Sequence, residues 1–166
     1  MKKQWLFALI AFGIIALLGI IFPFSFDTGD TSGIDKGDVA WMLASTALVF
    51  LMTPGLGFFY GGMVKPKNVI STILQSFIAM GLISILWVVF GFSLAFGESI
   101  GAEGFGLFGN PATFFMFKGV GGAPDPDFAA TIPLALFALF QLKFAIITPA
   151  LFTGSFAGRV RFTALM

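Results

Sequence analysis

The chain has 166 residues, of which 58% are hydrophobic and only 10% charged, and its mean hydropathy is +1.00. A soluble domain carries about a quarter charged residues, so a fully water-facing surface is excluded and the solvent must be largely lipid. The net charge of +1 offers no long-range field for nucleic acid, and the absence of Cys and His removes disulfides, thiolate chemistry and imidazole ligands together.

Four apolar stretches are each long enough to cross a hydrocarbon core, which takes about 20 helical residues. They run from Trp5 to Phe24, from Val39 to Tyr60, from Val69 to Phe96 and from Ile132 to Ala157. The expected fold class is therefore an all-α integral membrane bundle. The first stretch follows Lys2 and Lys3 and reads equally as a secretory signal peptide over 1–25 or as a retained signal-anchor helix. Its apolar run is longer than most signal cores, and Pro23 and Ser25 give only a weak cleavage site.

Charge placement sets the topology. Lys2, Lys3, Lys65, Lys67, Arg159 and Arg161 all fall on one side if the spans alternate, and only Lys36 and Lys118 fall in the two opposite loops, 25–38 and 97–131. The positive-inside bias makes the first set cytoplasmic. The outer loop 97–131 interleaves glycines with Phe105, Phe108, Phe114, Phe115 and Phe117, so it is expected to be folded at the membrane interface and not to be a flexible linker. Thr131 reads as an N-cap of the last span, with Pro133 in its first turn.

Within the spans, Pro54 removes a backbone donor, and Gly57 and Gly61 form a G-x-x-x-G face for close helix approach. That run reads either as plain helix packing or as a thinned helix presenting Phe59 and Tyr60 beside a narrow path. In the last span, Gln141 can hydrogen-bond across an interface, and Lys143 is the one ionisable side chain deep in any span. Such a residue costs about 2.5–3.5 kcal/mol on insertion scales and normally faces other helices or a cavity. Phe140 and Phe144 share a face one turn apart. Ala150, Gly154 and Gly158 recur every four residues as a second small-residue face.

Three of these segments resemble, in order, the Amt/Rh ammonium transporters. They are Asp38-Val39-Ala40-Trp41 through Thr53-Pro54-Gly55-Leu56-Gly57-Phe58-Phe59-Tyr60-Gly61-Gly62, Leu86-Trp87-Val88-Val89-Phe90-Gly91-Phe92-Ser93-Leu94-Ala95-Phe96-Gly97-Glu98, and Phe140-Gln141 to Arg161. Lys65-Pro66-Lys67-Asn68-Val69 continues the first. The resemblance implies that residues 38–166 form the N-terminal portion of an ammonium transporter domain carrying its first three core helices. It places Phe144, with Phe140 beside it, where the family has the phenylalanine that caps the pore and binds the incoming cation through its ring face. Leu56, Phe59 and Tyr60 would line or flank the upper pore, and Pro54, Gly57, Gly61, Trp41, Trp87 and Gln141 would be structural. The implied substrate is ammonium or ammonia, and the implied assembly is a homotrimer in the cytoplasmic membrane that binds a small nitrogen-signalling regulator; no cofactor, metal or nucleic acid is implied.

The sequence departs from the family pattern in two places. Gly158 stands where members carry an acid before the arginine, and Lys143 sits beside the gate phenylalanine. The paired pore histidines, the aromatic partner of Phe144 and the recruitment-site tryptophan would come from later helices, so the chain is expected to be a fragment that does not conduct alone. The other expectation kept open is a non-conducting helix module that assembles with a partner chain. Enzymatic function is not expected, because no His or Cys exists to activate Ser155 and no carboxylate lies within a span.

Overall fold

The structure is a computed structural model that describes residues 2–21, 29–102 and 105–157. In chain order it has α1 (Lys2–Ile21), α2 (Lys36–Met63), a 3-10 turn (Pro66–Asn68), α3 (Val69–Leu86), a π-helical turn (Trp87–Gly91) and α4 (Phe92–Phe96). Two hairpins follow, β1 (Ser99–Ala102) with β2 (Phe105–Gly109) and β3 (Pro124–Asp125) with β4 (Ala129–Pro133), before α5 (Leu134–Phe156). The segments Lys36–Met63, Pro66–Phe96 and Leu134–Ser155 are each long and apolar enough to cross a membrane. The protein is a multi-pass membrane helix bundle in which α2, α3 and α5 all pack on one another. α1 is helical where a first apolar stretch was expected, and its described side chains from Leu9 onward are largely exposed. Pro23, Ser25, Gly158, Arg159 and Arg161 lie outside the described residues.

Helix ends are decided by tertiary hydrogen bonds. α2 begins three residues before Val39 because Asp35 caps it, its Oδ1 accepting from the Asp38 N–H at 2.9 Å. The Asp35 N–H in turn donates to the Thr131 carbonyl at 2.9 Å. That bond corrects the N-cap expected at Thr131, which lies instead in β4 with Pro133 ending the strand. The first donors of α5 need no side-chain cap, since the Leu134 N–H reaches the Ala123 carbonyl and the Ala135 N–H the Gly121 carbonyl, each at 3.0 Å.

The span Pro66–Phe96 is continuous but not uniform. At Trp87 the ladder widens, and the Phe92 N–H donates to the Trp87 carbonyl five residues back. A β-carbon at Gly91 would stand 3.2 Å from Trp87 Cε3, so glycine admits the indole at this widened turn. π-turns of this kind re-aim the side chains around them.

The core sits at the hairpin end. Phe92 is fully buried, with Val120, Leu134 and Ala138 in the same cluster. Its ring centroid lies 5.1 Å from Phe114 and 5.6 Å from Phe117, and Phe96 lies 5.1 Å from Phe137 and 5.5 Å from Phe128. The described part of the loop 97–131 is therefore folded, as its aromatic content requires, but several rings turn inward onto α4 and α5 while Leu107 and Phe108 stay exposed. Met116 and Phe117 adopt left-handed φ of 55° and 59°. This costs about 1–2 kcal/mol per residue and is offset by docking Phe117 on Phe92.

Candidate functional site

α5 carries Phe140 and Phe144 on one face because an α-helix returns to the same side after four residues. Their ring centroids are 5.2 Å apart at 73°, an edge-to-face pair. Phe140 is half-buried, whereas Phe144 keeps 42% of its surface exposed in the middle of a membrane-crossing helix. The turn below is held by Thr148, whose Oγ1 donates to the Phe144 carbonyl at 2.8 Å. An exposed aromatic face offers a small cation electrostatic attraction without a formal counter-charge, worth about 0.5–2 kcal/mol.

Lys143 turns to a different side of α5. Its Nζ lies 4.8 Å from the ring centroid of Phe50 on α2. Phe50 is the residue whose carbonyl loses its usual helical donor at Pro54, which stands inside the uninterrupted helix α2.

Leu56, Phe59 and Tyr60 fall at the other end of the bundle. Tyr60 Oη donates to the Leu151 carbonyl at 3.3 Å, and its ring centroid is 5.6 Å from that of Phe59. Leu151 lies seven residues past Phe144, about 10 Å along the helix at 1.5 Å per residue. The three residues thus sit on the Lys65–Lys67 side of the Phe140–Phe144 pair. α2 and α5 both start at the hairpin end and run in the same direction, so Leu56, Phe59 and Tyr60 lie towards the end of the bundle away from the hairpins. Phe59 is 62% exposed and Leu56 half-buried, so both present surface to whatever lies beside α2.

Of the remaining sequence candidates, Gly57, Gly61 and Trp87 join one helix to another. Gly57 and Gly61 are buried against α3, a β-carbon at Gly57 standing 3.4 Å from Ser76 Cβ and one at Gly61 standing 2.9 Å from Ile73 Cγ1. The Trp87 Nε1–H donates to the Ala138 carbonyl on α5 at 3.2 Å. Gln141 is half-buried but forms no interhelical hydrogen bond among the described residues. Trp41 is 74% exposed near the start of α2. Sequence reasoning did not single out Ser93, which is fully buried and whose Oγ accepts from the Phe114 N–H at 2.9 Å. A serine inside the apolar run Phe92–Phe96 was the only signal for it. It also missed Ser76, whose buried Oγ has no hydrogen-bond partner beside Gly57.

Comparison with known proteins identifies what this arrangement resembles. A family model described as the Ammonium Transporter Family matches residues 40–166. An ammonium transporter of Mycobacterium bovis is 47% identical over 143 residues, covering 78% of this chain and 29% of the relative. An ammonium transporter of Aquifex aeolicus is 42% identical over 156 residues, covering 93% of this chain and 35% of the relative. Among solved structures, the crystal structure of Saccharomyces cerevisiae Mep2 superposes with a TM-score of 0.69 at 32% identity, over 82% of this chain and 31% of that one. The chain therefore spans about a third of the length of the relatives it matches.

Proposed function

The chain belongs to the ammonium transporter family, a family of transporters and not of enzymes, and on that premise we propose that it contributes the entrance half of a transmembrane conduit for ammonium or ammonia. Phe144, with Phe140 edge-on beside it, receives the cation at its ring face. Leu56 and Phe59, with Tyr60 behind them, flank the path towards its inner end. Pro54, Gly57, Gly61, Trp87 and Gln141 shape and hold the helices that position these rings. The observation that carries this reading is the exposed edge-to-face pair Phe140–Phe144 in the middle of a membrane-crossing helix. A ring exposed at that depth is open to a neighbouring helix, to lipid or to a passing solute, and family membership favours the solute.

In this reading residues 38–166 form the N-terminal portion of the transporter domain, residues 1–25 are a signal peptide or anchor helix, and the conduit is completed by segments corresponding to the rest of the relatives. The assembled protein is a homotrimer in the cytoplasmic membrane, open on its inner face to a nitrogen-signalling regulator. The test is methylammonium uptake in cells lacking their own ammonium transporters. The chain is expressed alone, a complementary remainder from the Aquifex aeolicus relative is expressed alone, and the two are expressed together. Uptake by the pair only is the expected result. Uptake by this chain alone would overturn the need for a second part, and no uptake by any combination would leave a helix module that assembles without conducting.

A further inference from the structure

Lys143 is the one ionisable group deep in a span, and nothing in the proposed path uses it. It lies nine residues after Leu134 and thirteen before Phe156 on α5, near mid-helix. Its ammonium does not reach towards either helix end, as a snorkelling lysine does, but rests over the ring of Phe50, itself near the middle of α2. The described acids, Asp30, Asp35, Asp38, Glu98, Asp125 and Asp127, all lie in the outer loops or the first turn of α2, and no ion pair with Lys143 exists among the described residues. An aromatic face attracts a cation but does not cancel its charge. No acid among the described residues pairs with the Lys143 charge.

That charge sits next to the gate. The Cα atoms of Lys143 and Phe144 are adjacent in the chain, about 3.8 Å apart, and successive helical side chains diverge by roughly 100°, which sends the ammonium to Phe50 and the ring to Phe140. Building on the proposed path along Phe140 and Phe144, we infer that Lys143 is a specificity-determining residue: a fixed positive charge behind the gate that disfavours permanent cations at the Phe144 ring relative to the neutral amine. Two unit charges about 10 Å apart in an effective dielectric of about 20 repel enough to lower occupancy roughly 15-fold, which sets the scale of the effect. Phe50 holds the charge to one side, so it repels without obstructing.

The test uses the full 166-residue chain together with the complementary remainder, carrying Lys143, Lys143→Met or Lys143→Arg. Half-saturation by methylammonium and inhibition by potassium are measured at matched membrane abundance. K143M is expected to lower the half-saturating concentration roughly 15-fold and to make uptake sensitive to potassium, while K143R behaves as the unsubstituted chain. A transporting K143M with unchanged half-saturation and no potassium sensitivity would overturn the inference while leaving the proposed conduit intact. Equal loss of uptake in K143M and K143R would also overturn it, since the shape of the lysine and not its charge would then be required. Failure of the unsubstituted pair to transport removes the conduit and this inference with it.

Discussion

Tyr60 and Gly154 meet as ring and notch: a β-carbon on Gly154 would stand 2.6 Å from both Cε1 and Cζ of the tyrosine. The same ring sends its hydroxyl to the Leu151 carbonyl at 3.3 Å, so α2 is fastened to α5 close to the C-terminal end of both helices. Gly154, part of the small-residue face of α5, thus receives a side chain from α2.

Gly154→Ala is expected to destabilise the bundle by about 1–3 kcal/mol, the usual cost of overpacking a well-filled contact. Thermal unfolding in detergent would show a lowered midpoint. Adding Tyr60→Ala should recover much of the loss, because the second change empties the space that the new methyl occupies. Two losses that simply add would mean the ring and the glycine do not meet.

Trp87→Phe keeps an aromatic ring beside Phe92 and Phe96 but deletes the donor to Ala138. A single hydrogen bond of this kind contributes about 0.5–1.5 kcal/mol. The variant should be less stable by that amount, and the loss should vanish in a background where the Trp87–Ala138 contact is already broken. An unchanged unfolding midpoint would refute the bond.

Ser93→Ala leaves the Phe114 N–H facing a methyl group in the buried cluster around Phe92. An orphaned buried donor costs about 1–3 kcal/mol, and the cost should fall locally. Amide exchange at Phe114 and through the turn Phe115–Phe117 is expected to accelerate, while α2 and the inner half of α5 stay protected. Uniform acceleration across the bundle would contradict this.

Phe144→Ala tests the proposed gate. Loss of the ring removes a cation–π contact of about 0.5–2 kcal/mol, which is roughly a 2- to 30-fold rise in half-saturating methylammonium for the complemented transporter. Phe144→Tyr should stay close to the unsubstituted protein. Alanine and phenylalanine with identical half-saturation would exclude Phe144 from the path.

Much of the architecture was legible in the residues. Three crossing helices followed from apolar runs, and the packing face at Gly57 and Gly61 from glycines four apart. Phe140 and Phe144 were paired by spacing alone, and their contact is what α5 shows. The misses share a cause. Thr131 has the chemistry of an N-cap, but its carbonyl is claimed by Asp35 and its strand by Pro124–Asp125, so α5 starts at Leu134. The hairpins were invisible because short strands, glycine-containing in the first hairpin and proline-bounded in the second, carry no period-two signal. Ser93 looked like one more polar interruption until Phe114 folded back onto it.

Hydropathy summed over a window, together with contiguous motifs, determined that this chain lives in lipid, where α2, α3 and α5 run and which family it joins. Each of those properties is carried by neighbouring residues, and burial of the backbone in hydrocarbon forces the helix once the run is long enough. Only the tertiary structure decided that Tyr60 belongs at the level of Leu151 and not of Phe144, that Trp87 is bonded to Ala138, and that Lys143 rests on Phe50. Those relations join residues 51 to 93 positions apart, and they are set by how rigid helices slide and rotate against one another, a freedom that no local pattern of residues encodes.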